Sequence, residues 1–228
     1  MKQLIFQSYH PADESVWNKK LDCYRPIDEL AALSQKRIKE YAKSIGADYV
    51  LLNKPKWKDI KKHPAWTRWA MFDYWNSYDE MCYVDCDVLP TPEAFGVSIF
   101  DTEGTAKLTE REDNSKEAWH VNAGVFKINK QEACRLSNSI HHKRYIKMLE
   151  NSGKNQEAFN DCWYKTFRKK PKHFGTAWNA TRPYHRNGLY YFHHYIGAQK
   201  TPIGNQFGNL HSNDVYNWNL KQIKVNNL

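Results

Sequence analysis

The stretch EMCYVDCDVLP, residues 80–90, decides how the chain is expected to fold. Its apolar, β-branched and aromatic residues predict a buried strand that stops at Pro90. Two strands and two helices are predicted before it, at residues 2–7 and 48–53 and at residues 27–46 and 65–77. This alternation predicts an α/β fold in which one Rossmann-like sheet is flanked by helices. Ligands bind beyond the carboxyl ends of the strands in such sheets, which here means beside Asp85-Cys86-Asp87.

The second half of the sequence is less regular. We expect strands at 120–129 and 188–195, helices at 130–149 and 155–169, and a tail from Thr201, rich in Asn and Gly, that wraps over the surface. No repeat, linker or low-complexity tract divides the 228 residues, so one domain over residues 1–228 is predicted.

Composition favours some classes of partner and excludes others. Lys and Arg number 34 against 25 Asp and Glu, a net charge of +9 that favours anionic partners such as nucleotides, phosphates, nucleic acid or anionic lipid. No apolar run reaches the roughly 18 residues that a membrane span needs, and the start of the chain lacks the apolar core of a signal peptide. A cytoplasmic protein is therefore expected.

Asp85 and Asp87 are a candidate metal site. On an extended strand, side chains two residues apart point to the same side, so both carboxylates would face one cation. Mg²⁺ and Mn²⁺ prefer such oxygen ligands. The alternative is a capped turn after the strand, in which the aspartates accept hydrogen bonds from backbone N–H groups. Position alone does not separate the two interpretations.

His194 is a candidate third ligand. It follows an apolar strand, and an imidazole beside two carboxylates suits Mn²⁺ better than Mg²⁺. In the same segment Gly197 would allow close backbone approach to a phosphate, and Lys200 would offer it a positive charge. A lone histidine among aromatic residues is more often a buried core residue, and that alternative stays open here.

The sequence resembles glycosyltransferases of the GT-A fold, and most of all family eight, the retaining group that includes glycogenin. Four segments match in the family's order and together span residues 66–200: WTRW followed by YWNSYDEMCYVDCDVL, then HVNAGVFKIN, NQEAFN and HYIGAQK. Each motif is weak singly, whereas four in order are hard to dismiss.

The resemblance implies a role for each matching residue. Asp85, Asp87 and His194 would bind Mn²⁺ (or Mg²⁺), and this ion would hold the diphosphate of a sugar nucleotide, with UDP expected by analogy. Gln156, Asp87 and Arg68 would form the catalytic set, with Gln156 beneath the anomeric carbon and Arg68 near the phosphates or the sugar. The donor would contact a wider set of residues: Tyr9, Arg68, Asp85, Cys86, Asn122, Ala123, Asn155, Gly197 and Lys200.

The implied reaction is sugar transfer with retention of configuration to a glycan or other hydroxyl acceptor. A divalent metal and a lysine would stabilise the charge that develops on the leaving diphosphate. A glutamine amide is a poor nucleophile, so a same-face reaction fits better than a covalent intermediate. The sequence departs from the family pattern at Asn155, where the family has an aspartate, and after the first predicted strand, where the family usually has an aspartate near the base and Tyr9 would stack on it instead.

Parts of the sequence are also compatible with other functions. A nucleotidyltransferase can share the layout, but it usually has a glycine-rich phosphate loop after the first strand, and QSYHPADES lacks one. Positive charge and 14% aromatic residues suggest nucleic-acid binding, or an enzyme that modifies DNA or a phosphate-rich glycan, although no nucleic-acid motif is present. Four residues were considered for stacking on an acceptor sugar, although packing is the commoner use of such side chains: Trp119, Trp178, Tyr184 and His185.

Overall fold

A computed structural model describes most of the chain: residues 1–9, 28–54, 64–108, 121–140, 155–181, 188–195 and 210–225. The main sheet has five strands in the order β2-β1-β3-β6-β5. The strands are β1 (Gln3–Ser8), β2 (Asp48–Leu52), β3 (Glu80–Val84), β5 (Ala106–Leu108) and β6 (Val121–Asn129). β2, β1 and β3 run parallel, and β6 is antiparallel to both β3 and β5. The expected α/β fold with a mixed sheet is confirmed.

The predicted strand at residues 80–90 is wrong in one respect, because it is two strands and not one. β3 ends at Val84, and a second short strand, β4 (Val88–Pro90), leaves the main sheet. β4 pairs antiparallel with β7 (Phe192–His194) in a separate two-stranded sheet. β7 is also shorter than the strand predicted over 188–195, and β5 was not predicted.

In the described ranges, four α-helices and an unusually long 3₁₀ helix surround these sheets. The α-helices are α1 (Asp28–Ser44), α2 (Lys130–Ile140), α3 (Asn155–Phe167) and α4 (Leu210–Val225). The helix predicted over 65–77 is a 3₁₀ helix, Pro64–Tyr74. The tail that was expected to wrap over the surface contains a helix that the sequence did not predict, and this helix, α4, buries Val215, Tyr216 and Asn219 on one face.

Two apolar clusters hold these elements together. The larger lies on the main sheet and includes Phe6, Tyr83, Phe126 and Phe159. The smaller joins α1, the second sheet and α4 through six buried residues: Leu30, Leu33, Leu89, Tyr195, Val215 and Tyr216. The second sheet is therefore fixed from behind, which sets the position of β7 beside the end of β3. None of the helices in the described ranges combines the length and apolar character that a bilayer crossing requires.

Candidate metal centre

Asp85, Cys86 and Asp87 form a tight turn between β3 and β4. The N–H of Val88 donates to the carbonyl of Asp85 at 3.2 Å, and the N–H of Asp85 donates to the carbonyl of Gly124 at 2.7 Å. The Cys86 thiol is buried and donates to the carbonyl of Ser8 at 2.9 Å. The expectation that the two aspartates sit on one extended strand is therefore wrong. The chain leaves the main sheet here, and a turn brings the two carboxylates together instead.

Asp85, Asp87 and His194 lie close together, and their candidate ligand atoms are all within 4.8 Å of one another. His194 Nε2 is 3.2 Å from Asp87 Oδ1 and 3.9 Å from Asp85 Oδ2. Pairing of β4 with β7 causes this approach, because His194 is the register partner of Val88, the residue that follows Asp87. Asp87 and His194 are 3% and 4% exposed. The three residues predicted from the sequence as ligands thus form one cluster, in which Asp87 and His194 are buried and Asp85 is partly exposed.

The carboxylate of Asp85 is oriented by two donors. Its Oδ1 accepts from the Tyr83 hydroxyl at 2.7 Å and from Arg68 Nη2 at 3.1 Å, and Arg68 Nη1 donates to the carbonyl of Ala123 at 2.6 Å. Burial is the largest single effect on the pKa of Arg68 and lowers it, but Asp85, Tyr83, Asp87 and Cys86 act together in the opposite direction, and the net effect is to raise it. Burial, followed by the charge of Asp85, raises the pKa of Tyr83 well above its usual range. Both groups therefore stay protonated and hold Oδ1, while Oδ2 faces His194.

The charges at this cluster suit a bound cation. Asp85 and Asp87 carry two negative charges, and Arg68 supplies one compensating positive charge from the far side of Asp85. Nearby carboxylates repel one another unless a cation lies between them. A divalent metal ion between the carboxylates would offset the remaining negative charge. Two carboxylate oxygens and one imidazole nitrogen form a donor set that fits a divalent cation such as Mn²⁺, so the residues present fit a metal ion.

Gly124 allows this cluster to form. A Cβ atom at this position would lie 2.2 Å from His194 Cε1 and 2.9 Å from Asp85 Oδ2. Both distances are far inside van der Waals contact, so any side chain would push the two candidate ligands away. The glycine belongs to the quoted motif HVNAGVFKIN, but its spatial neighbour is 70 positions further along the chain.

Asn179 contacts the other side of His194 and was not found by sequence reasoning. Its Oδ1 is 2.8 Å from His194 Nδ1, and its Nδ2 donates to Asn122 Oδ1 at 3.0 Å. Both His194 and Asn179 are buried. No motif marks Asn179, because it lies in an irregular segment after a short 3₁₀ helix, Thr176–Trp178.

The other predicted donor residues occupy different parts of the structure. Asn122 and Ala123 lie at the start of β6, Gln156 is half-buried in the first turn of α3, and Tyr9 follows β1, where its N–H donates to the carbonyl of Leu52 at 3.0 Å. Asn155 begins α3. Gly197 and Lys200 lie outside the described residues, so their predicted phosphate contacts stay predictions.

Of the four residues that could stack on an acceptor sugar, Trp178 lies within the described part of the chain. Trp178 is buried against Tyr191 and Phe192, and its Nε1 donates to Thr102 Oγ1 at 2.8 Å. It is therefore a packing residue, the commoner alternative. Trp119, Tyr184 and His185 lie outside the described residues.

Comparisons with known proteins identify the fold. No protein-family model matches the sequence, and no curated protein matches it at a significant level. Solved structures do match over nearly the whole chain. One is a glycosyltransferase involved in glycosylation of the major capsid of PBCV-1, with a TM-score of 0.54, 12% identity, and coverage of 88% of this chain and 95% of the other.

Two further structures give the same result. The glycosyltransferase GlyE of Streptococcus pneumoniae TIGR4 has a TM-score of 0.54 at 14% identity, and the match covers 96% of this chain and 60% of GlyE. The galactosyltransferase LgtC, solved with donor and acceptor sugar analogues, has a TM-score of 0.54 at 12% identity, with 96% and 95% covered. The order and direction of the strands, together with these neighbours, establish that the chain has the GT-A glycosyltransferase fold.

Proposed function

We propose that the protein is a metal-dependent glycosyltransferase that transfers a sugar from a nucleoside diphosphate sugar to a hydroxyl acceptor. The observation that carries this proposal is the convergence of Asp85, Asp87 and His194 at the end of β3 in a GT-A fold. Fold alone does not establish activity, but here the cluster has the donor atoms that the chemistry needs. Mn²⁺ is the expected metal and UDP the expected nucleotide.

The three clustered residues would hold the metal, and hydrogen bonds from neighbouring residues orient Asp85 and His194. Asp85 presents Oδ2 because Tyr83 and Arg68 hold Oδ1. When bound, the metal would supply positive charge where the leaving diphosphate becomes more negative. Arg68 is buried and engaged with Asp85 and with the carbonyl of Ala123, so its role in this proposal is to orient the ligand. Lys200 and Gly197 are proposed to contact the diphosphate.

Asn122 and Gln156 are proposed to contact the donor sugar. Asn122 Oδ1 already accepts from the N–H of Gly124 at 2.9 Å and from Asn179, so its Nδ2 would be the group that meets a sugar hydroxyl. Gln156 lies one helical turn before Asn160, whose side chain bonds both the N–H and the carbonyl of Val121 at 2.8 and 3.1 Å. This double contact fixes α3 against the start of β6, and so fixes Gln156 relative to Asn122.

Retention of configuration is proposed on the character of Gln156. An amide is a weak nucleophile, so it favours a same-face reaction in which the departing phosphate accepts the proton of the incoming hydroxyl. Tyr9, at the end of β1, is proposed to stack on the base, and Asn155 to contact donor hydroxyls. The acceptor is proposed to be a glycan or another hydroxyl compound.

Thermal unfolding in the presence of UDP tests the donor site. A ligand at about one hundred times its dissociation constant stabilises a protein by about 2.7 kcal/mol. We expect a shift in Tm that needs both UDP and Mn²⁺, disappears with EDTA, and is lost in Asp87→Asn. Asp214→Asn is the matched control, because Asp214 is exposed on α4. Absence of a metal-linked shift with any nucleoside diphosphate would refute the proposal.

Hydrolysis of a panel of nucleotide sugars then identifies the donor, and NMR of the anomeric proton of the first product distinguishes retention from inversion. Nucleic-acid binding is the alternative if the UDP test fails. It has weaker support, since Tyr164 is the only aromatic among the described side chains that is largely exposed, and base stacking needs exposed rings. Salt-dependent binding to single-stranded DNA would test it.

A further inference from the structure

Asn179 is held by backbone and side-chain contacts beside the ring of His194. Its segment runs along β7, where the N–H of Ala180 donates to the carbonyl of Phe192 at 2.9 Å and the N–H of His194 donates to the carbonyl of Ala180 at 3.1 Å. Asn179 is 0% exposed, and its N–H donates to the carbonyl of Thr176. The side chain therefore has little freedom to turn away from His194.

The direction of each hydrogen bond in this group follows from one backbone N–H. The N–H of Gly124 can only donate, so the Asn122 atom that faces it at 2.9 Å is the carbonyl oxygen. That oxygen also faces Asn179 at 3.0 Å, so the Asn179 atom there is the NH₂ group. The remaining Asn179 atom, 2.8 Å from His194 Nδ1, is then an oxygen that can only accept.

His194 Nδ1 must therefore carry a hydrogen. In a neutral imidazole only one nitrogen is protonated, so Nε2 keeps its lone pair. Nε2 is the atom that faces Asp87 and Asp85. Without Asn179 the preference would be reversed, because a hydrogen on Nε2 could donate to Asp87 Oδ1 at 3.2 Å, and it would then occupy the position of a metal ion.

We propose that Asn179 is a positioning residue that fixes His194 in the Nδ1–H tautomer, so that Nε2 is ready to bind a metal ion. The chain of contacts runs from the backbone of Gly124 through Asn122 and Asn179 to the imidazole. Asn122 thereby connects the proposed sugar site with the metal site. The inference depends on the proposed function for the metal, whereas the tautomer of His194 is a property of the metal-free protein.

The test compares Asn179→Ala and Asn179→Asp by two measurements. Calorimetric titration with Mn²⁺ alone gives the metal affinity, and loss of a hydrogen-bond partner of a metal-bound histidine typically costs 10- to 100-fold. ¹⁵N NMR of the metal-free protein at pH 9 gives the tautomer, with the His194 signal assigned from His194→Gln. We expect the Nδ1–H form in the wild type, and the Nε2–H form with about 10- to 100-fold weaker Mn²⁺ binding in Asn179→Ala. Asn179→Asp should recover the Nδ1–H tautomer, because its carboxylate also accepts from Nδ1–H, although its second oxygen cannot donate to Asn122 Oδ1.

Asn219→Ala is the matched control for loss of a buried asparagine. Asn219 is also 0% exposed, but its side chain bonds Arg37 and the carbonyls of Pro90 and Val215, away from the metal centre. It should lower Tm and leave both the Mn²⁺ affinity and the tautomer unchanged.

The results separate this inference from the proposed function. The inference is overturned if Asn179→Ala keeps the Nδ1–H tautomer and wild-type Mn²⁺ affinity, or if Asn179→Asp adopts the Nε2–H tautomer. A wild-type protein that binds no Mn²⁺, alone or with UDP, overturns the proposed function instead. In that case the NMR comparison still decides whether Asn179 sets the tautomer.

Discussion

Substitution of Gly124 by alanine should weaken metal binding at the candidate centre while the rest of the fold is kept. The new methyl group would start 2.2 Å from His194 Cε1, whereas an ordinary contact begins at 3.4 Å, so the imidazole would have to retreat by about 1.2 Å. It would also displace Asp85 Oδ2, which starts at 2.9 Å. Metal ligands must be placed within about 0.2 Å, and a misplacement of about 1 Å at an active site can cost 100-fold. We therefore expect Mn²⁺ affinity to fall by about 100-fold or more.

Isothermal titration with Mn²⁺, alone and with UDP, measures this loss. Overpacking of a buried position costs about 1–3 kcal/mol, and a chain of this size loses about 2–4 °C in Tm for each kcal/mol. Gly124→Ala should therefore stay folded, with a lower Tm. Gly175→Ala is the matched control, because a Cβ at Gly175 would meet nothing within 4 Å. It should bind Mn²⁺ like the wild type.

Wild-type Mn²⁺ affinity in Gly124→Ala would refute the reasoning. That result would mean that His194 and Asp85 do not bind the metal together, or that the His194 imidazole can move away from the methyl group and still bind it. Circular dichroism would distinguish unfolding of Gly124→Ala from a loss of metal affinity in a folded protein.

Three further predictions concern residues around this centre. Burial and then Asp85 raise the pKa of Tyr83 in the folded state, so the free energy of unfolding should fall as pH rises above about 10. Urea melts of Tyr83→Phe should show a smaller decrease of this free energy with pH. Asn160→Ala leaves the buried N–H and carbonyl of Val121 without their side-chain partner, at about 1–3 kcal/mol each, so Tm should drop by several degrees. An unchanged Tm would contradict the role of this double contact in fixing α3 against β6. The guanidinium of Arg37 lies over the rings of Phe95 and Trp218 and donates to Asn219 at 2.7 Å, so it should hold α4 in place. Arg37→Ala should therefore be cleaved faster than the wild type by a protease within residues 210–225.

The sequence predicts the parallel half of the sheet well for a physical reason. β1 is buried at five of its six residues, and an apolar run with turns on either side is the pattern of a strand covered on both faces. The turn at Cys86 could not be predicted in the same way, since apolar residues continue on both sides of it. The exit of β4 to a second sheet depends on pairing with β7, which is distant in sequence.

Helix α4 shows a different failure. Asparagine is a weak helix former and is common in loops, so three asparagines between residues 210 and 225 weigh against a helix. Asn219 makes tertiary hydrogen bonds with Arg37 and with the carbonyl of Pro90. These contacts stabilise the helix although the local sequence has a low helix propensity.

The candidate site was predicted where its residues belong to motifs. Asp85, Asp87 and His194 were found in this way, and the structure brings them together. Asn179 and the steric role of Gly124 were not found, because each acts through a neighbour that only the folded chain supplies.

The pairing of β4 with β7 also determines when the metal centre can assemble. Val88 and His194 are register partners but stand 106 positions apart, so closing this contact has a large entropic cost that local folding does not offset early. During synthesis, both aspartates emerge long before the histidine. Metal affinity should therefore appear late in folding, and its recovery after dilution from denaturant would report completion of the second sheet and not collapse of the first.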